Sequence, residues 1–191
     1  MRYLKLFVAI ITAGLLSSCG YNSMVEKDEA VAQLWAQVES QYQRRADLIP
    51  NLVNTVKGAA DFEKETLTAV VEARAKATSI NIDPNKLDQA SLDKFQEAQG
   101  QLSGALSRLL VSVERYPELK ANQNFRDLQV QLEGTENRIS VARQRFNDGV
   151  KAHNAYIREF PNNLFAGMFG FEKKAYFESA AGSEKAPEVN F

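Results

Sequence analysis

The chain has 191 residues, 45% of them apolar and 25% charged, with a formal net charge of −1. This composition suits one globular domain and sets it apart from disordered chains and from proteins that attract nucleic acid or anionic lipid by charge. One cysteine and one histidine leave no intrachain disulfide, no thiolate cluster and no ordinary protein-built zinc site.

Arg2 and Lys5 open the chain and the run Leu6 to Leu16 follows, apolar apart from Thr12. At about 1.5 Å per residue the run spans roughly 16 Å, short of the ~30 Å hydrocarbon core of a bilayer. A secretion signal over residues 1–18 is therefore expected rather than a spanning helix. Leu16-Ser17-Ser18-Cys19 resembles the lipobox of bacterial lipoproteins, an aliphatic residue and two small ones before the cysteine that is alkylated by lipid. Cys19 is the expected lipidation site, with acyl chains such as palmitate fixing the chain to a membrane. The alternative is an uncleaved anchor. Removing residues 1–18 takes away Arg2 and Lys5 and no acid, shifting the net charge from −1 to −3. Arg2 and Lys5 stay cytoplasmic, so the domain is expected on the far side of the membrane.

Residues 19–23 read as a lipidated stalk, with Ser23 as N-cap because Glu26 stands three residues on. The first helix then shows Val31, Leu34, Val38, Tyr42, Leu48 or Ile49, Leu52 and Val56 at spacings of three and four. Pro50 cannot donate to the carbonyl of Ala46 and predicts a kink or break. A second helix is predicted over 61–79, capped by Asp61, with Phe62, Leu67, Val70 and Val71 on its apolar side. Asp83 and Pro84 are expected to open a third helix, lined by Phe95, Ala98, Leu102, Ala105 or Leu106, Leu109, Val113 and Tyr116 and ended by Pro117. Within it Gly100 and Gly104 suggest close helix packing.

The fourth helix, over 122–159, carries Phe125, Leu128, Leu132, Thr135, Ile139, Ala142, Phe146, Gly149, His153, Ile157 and Phe160 at coiled-coil spacing. No stretch alternates as a strand would. The predicted fold is all-α, an elongated antiparallel bundle of about four long helices over residues 24–177 with a short irregular C-terminal segment. In that segment Leu164, Phe165, Met168, Phe169, Phe171, Tyr176 and Phe177 stand among Gly167 and Gly170. It is expected to plug one end of the bundle, or to form an aromatic docking patch for a membrane or a partner. Residues 178–191 read as a disordered tail.

Polar residues near the seams form the candidate site: Arg44, Arg45 and Asp47 beside Pro50 on the first helix, and Glu133, Glu136 and Arg138 around Thr135 on the fourth. The expected arrangement is a partly buried layer in which Arg45 faces Glu133 or Glu136. Such a pair sets helix register, or it marks a ligand or partner site. Val150 stands three residues before His153, so the Glu-x-x-His pattern of di-iron bundles is missing. No catalytic triad or phosphate-binding glycine loop is readable. No catalytic residue, metal or cofactor is expected.

Five strings give the chain a specific resemblance: Gln43-Arg44-Arg45-Ala46-Asp47-Leu48-Ile49-Pro50-Asn51-Leu52-Val53, Glu114-Arg115-Tyr116-Pro117-Glu118-Leu119-Lys120-Ala121-Asn122, Leu132-Glu133-Gly134-Thr135-Glu136-Asn137-Arg138-Ile139, Ala142-Arg143 and Phe160-Pro161-Asn162-Asn163. Over about residues 28–178 the chain resembles the LemA family. The resemblance implies a membrane-tethered helical bundle without established enzymatic activity. Family members commonly look tethered by an N-terminal transmembrane helix, many facing the cytoplasm; here a lipobox stands in that place, which favours the periplasmic side. The expected function is a non-catalytic, lipid-anchored scaffold or adaptor with an envelope protein as partner. The alternatives are an envelope enzyme subunit or small-ligand-binding protein using the Arg/Glu cluster, a purely structural envelope component, and an inner-membrane anchor with a cytoplasmic domain.

Overall fold

A computed structural model describes the backbone of residues 2–58 and 62–178, and side chains from residue 20 onward within those ranges. The side chains of Leu16, Ser17, Ser18 and Cys19, the expected cap Asp61 and the tail beyond residue 178 lie outside the described residues. The elements are α1 (Arg2–Lys57), α2 (Lys64–Ser79), α3 (Gln89–Val113), the short α4 (Pro117–Ala121) and α5 (Gln123–Tyr156), followed by two 3₁₀ turns, Asn162–Leu164 and Gly167–Phe169. Among the described residues there is no strand, and the fold is the expected all-α bundle.

Helices α1 and α5 run antiparallel. A Cβ added to Gly149 would run into Leu34, and Arg45, later in α1, meets Glu136, earlier in α5. Arg74 bonds to Ala46, and Lys76 to Gln101, so α2 runs against both α1 and α3. The apolar core follows the bundle from end to end. Met24, Ile157 and Ala166 close one end. Trp35, Phe95, Phe146 and Phe177 fill the middle, with edge-to-face rings at 5.3–5.6 Å. Ile49, Leu102, Leu109 and Leu128 fill the other end. The buried positions of α5, from Phe125 to His153, match the predicted seam except that Val150 replaces Gly149. Gly149 instead gives Leu34 room to approach.

Several predicted boundaries move. Helix α1 passes through Ser23 without a start there, because Met24 is buried and Tyr21 packs edge-to-face against Phe169 and Phe171 at 5.0 and 5.9 Å. These contacts give residues 20–23 a tertiary reason to be helical. Helix α1 also continues through Pro50. The Ala46 carbonyl that Pro50 leaves without a donor accepts from Arg74 Nε at 2.8 Å. Helix α3 begins after Asp88, whose carboxylate accepts from the Ser91 amide at 2.8 Å, and not after Asp83. Asp83 closes a turn onto the Asn85 amide at 2.9 Å, because buried Ile82 and Leu87 pull that stretch onto the core as a loop. Val71 faces solvent, Phe160 leaves the seam and is exposed, and Gly100 and Gly104 open onto empty space rather than a neighbouring helix.

The C-terminal segment departs most from expectation. After the 3₁₀ turns it extends back along the bundle instead of stopping at its end. Asn154 donates to the Lys174 carbonyl at 2.8 Å and accepts from the Lys174 amide at 2.9 Å. Asn147 makes the same pair of bonds with Phe177, both at 2.9 Å. On the segment's other side the Ala175 amide donates to the Leu87 carbonyl at 2.9 Å. Two side chains thus do what a neighbouring strand would do, and Phe177 is inserted into the core.

Candidate functional site

The steps Val38, Tyr42, Arg45, Ile49 keep Arg45 on the inner face of α1. The residue is 1% exposed. Its Nη1 donates to Glu136 Oε1 at 2.6 Å and to Ser103 Oγ at 2.9 Å. Its Nη2 donates to the side-chain and main-chain oxygens of Gln99. Gln99 is oriented in turn by donating to the Ala77 carbonyl at 3.2 Å. The Tyr42 ring lies 5.1 Å from the guanidinium, and burial pushes its phenol up from the usual range. Glu136 is half exposed, at 48% for its side chain, so the layer is open at one edge.

That edge borders a cleft of about 410 Å³, lined in part by Tyr42, Gly100, Ser103, Glu136 and Arg143. Arg143 is held as firmly: its Nη2 donates to Gln96 Oε1 and to the Glu178 carbonyl, both at 2.9 Å, and its guanidinium lies 4.6 Å from the Phe177 ring. The two cations therefore bond to α3, α5 and the C-terminal segment, and Gln99 extends the network to α2. Exposed carboxylates Asp93, Glu97, Glu136 and Glu178 line the same cleft.

A second polar junction lies toward the Met24 end. Lys174, buried, pairs with Asp28 at 2.9 Å and donates to the Pro84 carbonyl at 3.2 Å. His153, fully buried, donates from Nε2 to the Glu172 carbonyl at 3.0 Å, and its Nδ1, without a hydrogen-bond partner, lies 3.9 Å from Asp28. Burial holds the imidazole below the usual histidine range, against the raising influence of the Glu172 carbonyl and Asp28.

The Met24 end of the bundle has a different character. From Phe160 to Phe171 there is no charged residue. Phe160 and Met168 are 81% and 79% exposed, and Leu164, Phe169 and Tyr21 are exposed as well. Large apolar side chains thus face solvent at this end of the bundle.

Of the six candidate residues, the structure brings together Arg45 and Glu136. Arg44, Asp47, Glu133 and Arg138 are exposed. Asp47 accepts from Gln43 at 2.7 Å and Glu133 from Gln129 at 3.0 Å, local helical pairs that build no site. Sequence reasoning missed Gln99 and Ser103. Their signal was a polar pair four residues apart on α3 beside Phe95 and Leu102, on the face turned to Arg45. It also missed Asn147 and Asn154, spaced one heptad apart beside the α5 seam. Among the described residues no group of three or more His, Cys, Asp or Glu side chains is placed to hold a metal ion, and no helix is long and apolar enough to cross a membrane.

A sequence profile of the LemA family matches residues 34–191. The chain is similar to magnetosome protein MamQ of Magnetospirillum gryphiswaldense, 26% identical over 193 residues covering 92% of this chain and 70% of that protein. It is similar to magnetosome protein MamQ 1 of Paramagnetospirillum magneticum, 24% identical over 175 residues covering 83% and 64%. It is also similar to protein LemA of Metamycoplasma hominis, 20% identical over 159 residues covering 83% and 69%. The chain thus spans about two thirds of the length of these relatives.

Proposed function

Since the chain belongs to the LemA family, we propose that it is a membrane-anchored helical scaffold or adaptor of the cell envelope, without catalytic activity of its own. In this reading residues 1–18 are a secretion signal and Cys19 carries the lipid. The bundle then faces away from the cytoplasm and binds an envelope protein along its surface. At about 1.5 Å per residue, the 34 residues of α5 carry that surface roughly 50 Å. Similarity to proteins named for the magnetosome supports attachment to a cellular structure.

The observation that carries the reading is the Arg45 layer. A buried guanidinium is the group in this chain best suited to hold an anionic ligand, and its Nη donors go to Glu136, Ser103 and Gln99 instead. Its buried Nε has no hydrogen-bond partner; the four Nη contacts are those of a side chain that fixes the relative placement of α1, α3 and α5, which is what a rigid presenting surface needs.

Crosslinking in intact cells followed by purification tests the proposal. The scaffold reading expects one envelope protein to co-purify in stable proportion. A thermal shift produced by a specific small molecule on the isolated chain, with no co-purifying protein, would overturn it in favour of a ligand-binding or enzymatic role.

A further inference from the structure

We propose that the uncharged end of the bundle rests on the bilayer surface, with Tyr21, Phe160, Leu164, Met168 and Phe169 entering the boundary between headgroups and acyl chains. The proposal deepens the anchoring reading above and rests on it. The five side chains are exposed and sit at the end of the bundle where α1 leaves residue 20. Tyr21 and Phe169 are in ring contact at 5.0 Å. Gly20 lies against Asn162, close enough that a Cβ there would stand 2.9 Å from its Oδ1. Cys19 is the next residue, and the apolar run Leu6 to Leu16 precedes it. A membrane holding the chain through either feature lies against this end and no other.

The chemistry fits a lipid interface. Aromatic side chains concentrate at the boundary between headgroups and hydrocarbon, and apolar area entering it adds binding to that of the lipid anchor. The twelve residues Phe160 to Phe171 carry no charge to desolvate, and each flank holds one base and one acid, Arg158 with Glu159 and Lys173 with Glu172. The contact is therefore apolar rather than electrostatic, and phosphatidylcholine suffices as the surface. A protein partner would have to share the space with the bilayer one residue from the anchor.

The test uses the full lipidated chain in phosphatidylcholine vesicles. With Cys19 modified, Met168→Cys supplies a single free thiol on a side chain exposed enough to change without disturbing the fold. Val130→Cys, also on an exposed residue, is the comparison, about 39 Å along α5 from Tyr156. A nitroxide on each thiol is measured for collision with oxygen, which partitions into lipid, and with a water-soluble nickel chelate. The expected result is a severalfold lower chelate collision rate and a higher oxygen rate at 168 than at 130. Equal rates at the two positions in a vesicle-bound chain would overturn this proposal alone and point to a protein partner for the patch. The parent chain reads the anchor separately: a Cys19 thiol that takes the label in a chain recovered from the soluble fraction would overturn the anchoring reading and this proposal with it.

Discussion

Arg74 takes up the hydrogen bond that Pro50 vacates. Pro50 has no N–H to give the Ala46 carbonyl one turn back, and Arg74 Nε on the facing helix donates to that oxygen at 2.8 Å. A residue that would break α1 is thereby turned into a tie between α1 and α2.

This relationship predicts a dependence that burial alone does not. Arg74→Met removes the donor and strands a carbonyl, at an expected cost of about 1–3 kcal/mol. In a Pro50→Ala background the backbone amide gained at position 50 supplies the missing bond, and the same substitution costs less. Urea denaturation of the four proteins measures the difference. Equal costs for Arg74→Met in both backgrounds would show that Pro50 and Arg74 act independently.

The C-terminal segment is held by matched spacing. Asn147 and Asn154 are seven residues apart on a helix, about 10.5 Å at 1.5 Å per residue. Their partners Lys174 and Phe177 are three residues apart in extended chain, about 10 Å at 3.3 Å per residue. Asn154→Ala leaves the buried amide and carbonyl of residue 174 unpaired and is expected to cost about 2–4 kcal/mol. Phe177→Ala, which empties the site among Trp35, Phe95 and Phe146, is expected to cost about 3–5 kcal/mol. Hydrogen exchange at the amides of 174 and 177 is a direct check: fast exchange in the native protein would mean that the segment is not docked.

For the Arg45 layer the two single changes differ in what they strand. Glu136→Ala leaves a buried guanidinium without its counter-ion, at an expected cost of about 2–4 kcal/mol, reduced from a fully buried pair because Glu136 is half exposed. Arg45→Met leaves the side-chain oxygen of Gln99 unpaired, at about 1–3 kcal/mol. The double change is expected to cost less than the sum, and a double-mutant cycle reads the coupling. An unchanged or raised melting temperature for Arg45→Met, with loss of a cellular phenotype, would mean that the arginine serves a ligand and not the register.

Burial makes the native protein a poorer proton acceptor at His153 than the unfolded chain. Between the lowered native value and about 6.5, the unfolded chain binds a proton that the native protein refuses. The stability from His153 is therefore complete above about pH 6.5 and declines as the pH falls below it. Asp28, Lys174 and Lys27 are the charged groups that act on the imidazole from around it. His153→Asn is expected to flatten the stability profile just below about pH 6.5 relative to the parent. A parent profile equally flat over that interval would contradict the assignment.

What could be read from the sequence follows from which forces are periodic. The α5 seam is a burial pattern, and Phe125 to Phe146 fall on it as spaced. Arg45 and Glu136 were legible for the same reason, as polar residues on or beside a seam. Helix starts were harder, since Asp83 and Asp88 are equally good caps and only the burial of Ile82 and Leu87 decides between them. The path of residues 172–178 carries no period at all. Its partners are asparagine side chains on α5, which look in the sequence like any polar positions beside a seam. Tertiary contacts of Tyr21 and Met24 likewise extended α1 past its expected cap at Ser23.

The central claim is that lipid on Cys19 holds this bundle outside the cytoplasm, and metabolic fatty-acid labelling tests it most directly. Wild type and Cys19→Ala are compared, with protease accessibility measured on the same cells. The account predicts label in the wild type alone, and a domain that protease reaches once the outer envelope is opened. A wild type without label, with its domain protected, would contradict it and place the bundle in the cytoplasm on an uncleaved anchor.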